Sequence, residues 1–315
     1  MSAQESAGKP SSRGFLLALA ALAWLAAMLW AARNTITGRA DAEMEVTSTA
    51  YALPGAVSAA LVAGAVVGLA VLTLVTARRP LSATLRFAVA TGGGLAVGLL
   101  GALPIITINT EGWVYAVVGG TVAAAATIGG ALAGFRAPRV VAAAGWASIA
   151  VFVTGFVLNL HQIQGPVIDL LGGGDSAASQ ANAAQWFTFC QSLLGGLAAG
   201  LISYAVMRRA RSHQGADMSW PLYAVAGAGP GLLLVIAEGL TRTAGARVLD
   251  LAGRVSELER VVQQMLSGAR FNSALIVLFA GAITAVIAIG RTLGPARDET
   301  EDAAAEPDLR PGPAA

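Results

Sequence analysis

Charged residues are scarce in this sequence, where they make up 12% of 315 residues, and cysteine is almost absent. Soluble globular chains carry roughly 25% charged residues, so much of this chain is not expected to face water. The single cysteine, Cys190, excludes an intrachain disulfide and a cysteine-based metal cluster. Because Cys190 lies in an apolar segment, we expect its thiol to be inert packing.

Signatures of catalysis and of nucleic-acid binding are also missing. The sequence has no Gly-x-Ser-x-Gly nucleophile elbow and no phosphate-binding loop with a Lys-Ser/Thr pair. Its two histidines, His161 and His213, fall on opposite sides of the predicted membrane, so they cannot share a zinc ion. The arginines are spread over loop ends and form no basic face. We therefore expect no metal, no cofactor, no nucleic-acid partner and no enzymatic activity.

Long apolar segments dominate what is present, and 56% of the residues are hydrophobic. An apolar run of about 20 residues is long enough to cross the hydrocarbon core of a membrane. The first run is longer than the core of a signal peptide, so we expect it to remain as a span. The sequence predicts an all-α polytopic transmembrane bundle over 14–289, with eight spans at residues 14–32, 54–76, 87–106, 114–135, 140–160, 185–206, 220–240 and 271–289.

The distribution of basic residues predicts the orientation of this bundle. With the N-terminus inside, thirteen of the twenty Lys and Arg residues lie on the cytoplasmic side and the remaining seven lie outside. An excess of Lys and Arg marks the cytoplasmic loops of membrane proteins. We therefore predict a plasma-membrane protein with both termini in the cytoplasm. Its ends, 1–13 and the acidic tail 290–315, are expected to be disordered.

The seventh span contains an unusual group of residues at its middle: Gly229, Pro230 and Gly231. Proline removes a backbone donor and clashes with the preceding turn, so we predict a kink here. The alternative is a broken helix that lines a cavity, as in some transporters. Glycines also stand four residues apart in other spans, which favours close packing of helices within the bundle over a seam between two copies.

Several polar residues are predicted to lie at the outer ends of the spans. Glu238 is the one ionisable group inside a span, and Arg242 follows it at i+4, a spacing that permits an ion pair. Other polar groups follow the third and fifth spans, and they include Asn109, Glu111, Asn159 and His161. Together they predict an outer vestibule for a small polar ligand or cation. The alternative is a surface ion pair and solvated loops.

The last outer loop carries an amphipathic pattern, which predicts a helix over 246–267. Its apolar residues recur in steps of three and four: Val248, Leu251, Val255, Leu258, Val262 and Met265. The charges of this helix nearly balance, whereas a helix that binds anionic lipid carries excess positive charge. The apolar stripe could cover the vestibule as a lid or contact a second protein or copy. Flat binding to the membrane surface is the third alternative.

Three stretches resemble an uncharacterised family of multi-spanning actinobacterial membrane proteins: 108–113 (Ile-Asn-Thr-Glu-Gly-Trp), 118–121 (Val-Gly-Gly-Thr) and 227–238. This resemblance implies no activity and no site. Our leading functional hypothesis is a non-enzymatic accessory or scaffold protein of the cell envelope. Its expected partners are membrane lipids and either an envelope protein or a second copy. A small-solute transporter or channel that uses the vestibule is the alternative, and a membrane enzyme acting on lipid or glycan is the third.

Overall fold

The chain forms a bundle of helices in the computed structural model, which describes residues 12–38, 42–109, 113–135, 137–214 and 219–291. These residues form ten helices and no strand. The helices are α1 (Ser12–Thr37), α2 (Ala42–Thr76), α3 (Ala83–Ile106), α4 (Trp113–Ala133), α5 (Pro138–Leu158), α6 (His161–Leu170), α7 (Ala177–Gln214), α8 (Trp220–Thr243), α9 (Ala246–Val255) and α10 (Glu257–Gly290). Eight of them are long and apolar enough to cross a membrane, which confirms the predicted polytopic fold. Most of the two tails predicted to be disordered lies outside the described residues.

Three helices are much longer than their predicted spans. The helices α2, α7 and α10 have 35, 38 and 34 residues. At a rise of 1.5 Å per residue they measure about 51 to 57 Å, against a hydrocarbon core of about 30 Å. They therefore extend well beyond a membrane. The short helix α6 was not predicted; it contains Gly165 and Pro166, which both disfavour a helix interior.

The predicted helix 246–267 is divided in the structure, so its extent was wrong. Ser256 has an extended backbone and ends α9, and its side chain accepts a 3.0 Å hydrogen bond from the backbone N–H of Glu259. This is the geometry of a helix N-cap, and the acidic residues in the first turn of α10 favour the same start. From residue 257 onwards the chain is one helix through to Gly290. We refer to α9 together with residues 257–270 as the head, and to its side of the bundle as the α9 end.

The most buried span is α2, which packs against α1, α3, α4, α5, α8 and α9. Glycines allow the backbones of neighbouring helices to approach closely. A Cβ on Gly130 of α4 would meet Gly94 of α3, and a Cβ on Gly196 of α7 would meet Val277 of α10. These glycines face helices of the same chain, in agreement with packing inside the bundle.

The helix α8 continues without interruption through Gly229, Pro230 and Gly231, so the broken-helix alternative was wrong. Tertiary packing explains why glycines stand here. A Cβ on Gly229 would collide with Ala144 of α5, and one on Gly231 would collide with Leu278 of α10. The glycines therefore allow α8 to pack closely against α5 on one side and α10 on another. They do not open the helix.

Candidate functional site

Glu238 lies at the α9 end of α8, where only 4% of the residue is exposed. Its two carboxylate oxygens accept hydrogen bonds from two arginines. The Nε of Arg242 donates to Oε1 at 3.0 Å, and the Nε of Arg270 donates to Oε2 at 2.9 Å. The hydroxyl of Ser267 also donates to Oε1. Two guanidinium groups therefore face one carboxylate, so the negative charge of Glu238 is fully compensated. This ion-pair cluster has little capacity to bind a further cation.

The predicted pair of Glu238 and Arg242 is present, but sequence reasoning missed the two partners from α10. Arg270 and Ser267 are 29 or more positions away along the chain. Arg242 also donates from Nη2 to the carbonyl of Ser267 at 2.9 Å, so three hydrogen bonds join α8 to α10 here. A signal did exist. Arg270 immediately precedes the last span, at the depth where the neighbouring span carries its lone carboxylate.

Above this cluster a cavity of about 580 Å³ lies between the end of α8, α9 and the start of α10. Its lining contains three arginines, Arg242, Arg254 and Arg260, and one carboxylate, Asp250. The remaining polar lining residues are Gln263, Gln264 and Ser267. Positive charge and hydrogen-bond donors therefore dominate the cavity wall, which suits an anion and disfavours a cation.

The predicted apolar stripe is shared between the protein interior and its surface. Val248 is fully buried and joins Ala252 in the main hydrophobic core. Leu251 and Val262 are partly buried. The rest of the stripe is exposed, with Leu258 at 73% and Met265 at 66%. The first turns of α9 therefore pack on the protein's own bundle, whereas most of the stripe on α10 does not.

Four exposed residues form what we call the apolar face of the head: Val255, Leu258, Val261 and Met265. The last three are spaced by three and four positions, so they lie on one side of α10. At 100° per residue, the cavity residues Arg260 and Ser267 lie away from this face on the same helix, and Gln264 lies about 60° from Val261, at the edge of the face. The head therefore presents an apolar face and a polar cavity that are lined by different residues.

The predicted vestibule is not assembled. The helix α3, which ends before Asn109, makes no contact with α5 or α8 among the described residues. Asn159 caps α5, and its side chain donates to the carbonyl of Gly155 at 2.8 Å. His161 is exposed as the first residue of α6, which packs on α5 and α7. Glu111 lies outside the described residues. None of these groups is a hydrogen-bond partner of Glu238, and α3 does not reach α8, although α5 packs on α8.

A second cavity of about 220 Å³ lies deeper in the bundle, between α1, α2, α5 and α8. Its wall includes Pro230 and a stacked pair, Trp24 and Phe152, whose ring centroids are 4.7 Å apart. The Nε1 of Trp24 is buried and has no hydrogen-bond partner. The cavity therefore offers a largely apolar wall.

Comparisons with known proteins add no assignment to this geometry. No protein-family model, curated protein or solved structure matches the chain. Among the described residues, no three His, Cys, Asp or Glu side chains are grouped as a metal site would require.

Proposed function

We propose that this chain is an accessory protein of a bacterial plasma membrane, without enzymatic activity, that binds a second envelope protein through the apolar face of its head. Both termini lie in the cytoplasm in this proposal, so the head projects outward. The resemblance to multi-spanning actinobacterial membrane proteins supports the bacterial setting, and the excess of basic residues at the opposite end supports the orientation.

The observation that carries this proposal is the exposure of Leu258 and Met265 in the first turns of α10, which precede the predicted span 271–289. In this proposal the last span is 271–289, as the sequence predicts, so residues 257–270 extend about 21 Å beyond it. Lipid tails do not reach that far, and large apolar residues grouped on a helix face mark binding surfaces. Glu257 and Glu259 balance Arg254 and Arg260, so the face is not suited to an anionic lipid surface.

The proposed occupant is an amphipathic helix of the partner protein. The three-and-four spacing of Leu258, Val261 and Met265 is the spacing that helix-to-helix packing uses. A second copy of this chain is a weaker occupant. The stripe has fewer than three heptads, which is short for a coiled coil between two identical helices.

The test is native mass spectrometry of the protein after gentle extraction from the membrane in which it naturally occurs. We expect a second polypeptide at fixed stoichiometry, lost in the double variant Leu258→Asp, Met265→Asp. The matched control is Gln264→Asp, which adds a charge to the cavity wall of the same helix and should retain the partner. A bare monomer, a homo-oligomer, or equal loss from Gln264→Asp would overturn the proposal.

A further inference from the structure

We infer that the cavity between α8, α9 and α10 is a binding site for a phosphate-bearing anion. This inference is independent of the proposed function, because the cavity and the apolar face share no residue. The cavity volume of about 580 Å³ is that of a small-ligand site.

The charges around the cavity are arranged so that one guanidinium is free to bind. Arg260 is paired with Glu257 at 2.6 Å, and Arg242 is paired with the buried Glu238 at 3.0 Å. Arg254 lines the cavity from α9 and forms no ion pair within the described residues. The one carboxylate in the wall, Asp250, stands four positions before Arg254 without bonding to it. The planar fork of an arginine matches the oxygens of a phosphate, so Arg254 is the primary anion ligand.

The remaining wall supplies neutral donors and space. Gln264 is exposed and carries an amide that can donate to a phosphate oxygen. Gly253 and Gly268 face the cavity from α9 and α10, and a Cβ on Gly268 would meet no atom within 4 Å. The wall is therefore open where a phosphate group must enter.

The position of the site at the membrane boundary relates it to two sources of phosphate. The base of the cavity is at this boundary, since Arg242 lies at the end of the α8 span and Arg270, beside it on Glu238, precedes the predicted span 271–289. Phospholipid phosphates lie at this depth, and free phosphate reaches it from the water. Both ligands offer the same oxygens to Arg254, so the chemistry of recognition is shared and the experiment must separate the sources.

Isothermal titration of the full chain in a neutral detergent separates them, with inorganic phosphate in one arm and dihexanoyl phosphatidic acid in the other. Binding of both with similar affinity identifies free phosphate as sufficient, whereas much tighter binding of the lipid identifies a headgroup. We expect Arg254→Gln to weaken binding by about tenfold or more, the loss expected for one charge-assisted hydrogen bond. Arg247→Gln is the matched control, since it removes an equal charge from an exposed position of α9 that does not line the cavity.

A variant that is expected to bind the anion more tightly distinguishes a change at the site from a folding defect. Asp250→Asn removes the one carboxylate of the wall, so it should tighten anion binding, which a misfolded variant cannot do. The inference fails if neither probe binds, if Arg254→Gln binds as wild type does, or if Arg247→Gln is equally weakened. It also fails if Asp250→Asn leaves the affinity unchanged.

Discussion

The hydroxyl of Ser203 in α7 donates a 2.9 Å hydrogen bond to the backbone carbonyl of Ala226 in α8. In a regular helix this carbonyl would accept from the N–H of residue 230, but residue 230 is a proline and has none. An unsatisfied backbone group costs several kcal/mol in the membrane interior, where no water can replace the missing donor. Ser203 is fully buried and supplies that donor. The bond explains how α8 stays helical through Pro230.

Replacing Ser203 with alanine should therefore destabilise the bundle by about 1–2 kcal/mol, because the carbonyl of Ala226 loses its donor. The loss should be smaller in a Pro230→Ala background, where residue 230 regains an N–H. Thermal unfolding in detergent, followed by helical circular dichroism, measures both.

Ser192→Ala is the control for this experiment. Its hydroxyl bonds to the carbonyl of Thr188 within α7, a carbonyl that the helix already satisfies. The variant should change stability little. Equal losses from Ser203→Ala in the two backgrounds would contradict the role assigned to the serine.

The eight spans could be predicted from the sequence because exposure to lipid selects apolar residues directly, whatever the arrangement of the helices. The continuity of α8 through Pro230 could not be predicted from the sequence. The pattern Gly229-Pro230-Gly231 weakens a helix in isolation, and only the contacts with Ala144, Leu278 and Ser203 show what compensates for it. Those contacts depend on which helices become neighbours, and local sequence does not encode that.

The candidate site, too, could be predicted only in part. The pair of Glu238 and Arg242 was predictable because both residues lie on one helix at a fixed spacing. The contribution of Arg270 depends on the rotation of α10 relative to α8, which no local pattern reveals. The expected vestibule failed for the same reason. Asn109 and His161 were assigned to one side of the membrane, but depth alone does not bring residues together.

Close contact between α8 and α10 should make Gly227 sensitive to substitution. A Cβ at this position would collide with the backbone oxygen of Gly281 and would lie 2.8 Å from Ala285 Cβ. Gly227→Ala should therefore destabilise the bundle by about 1–3 kcal/mol through overpacking.

Gly239→Ala is the matched control on the same helix, where an added Cβ meets no atom within 4 Å. This variant should be neutral or up to about 1 kcal/mol more stable, since alanine favours helix over glycine. Detergent unfolding midpoints compare the two variants. Similar midpoints would show that the two helices are not as tightly packed as described.

The orientation of the bundle can be tested by labelling cysteines in intact cells with a membrane-impermeant maleimide. In a Cys190→Ser background, Asp175→Cys in the α6–α7 connection should be labelled, since it lies at the α9 end. Ala83→Cys at the start of α3 should react only after permeabilisation, because that end carries the excess of basic residues. The reverse pattern would place the head in the cytoplasm and remove the basis for an envelope partner.

Removing the carboxylate of Glu238 should strongly destabilise the α9 end. Glu238→Gln leaves the guanidinium of Arg270 without its counter-charge, with one of its nitrogens already buried and unpaired. We expect a loss of about 3 kcal/mol, because breaking one side of a buried ion pair strands the other charge. Asp175→Asn removes an exposed carboxylate and should change stability by less than about 0.5 kcal/mol.

The two arginines should respond differently to the same substitution. Arg270 is 30% exposed and Arg242 is 46% exposed, so Arg270→Gln should cost more than Arg242→Gln. The double variant Glu238→Gln, Arg270→Gln should be more stable than the sum of the two single losses predicts, since neither charge is then left alone. Thermal unfolding of the wild type, of Glu238→Gln, of Arg270→Gln and of the double variant gives the coupling energy between the two residues. A coupling near zero would mean that Glu238 is held by its neighbours without an energetic contribution from Arg270, and its burial would need another explanation.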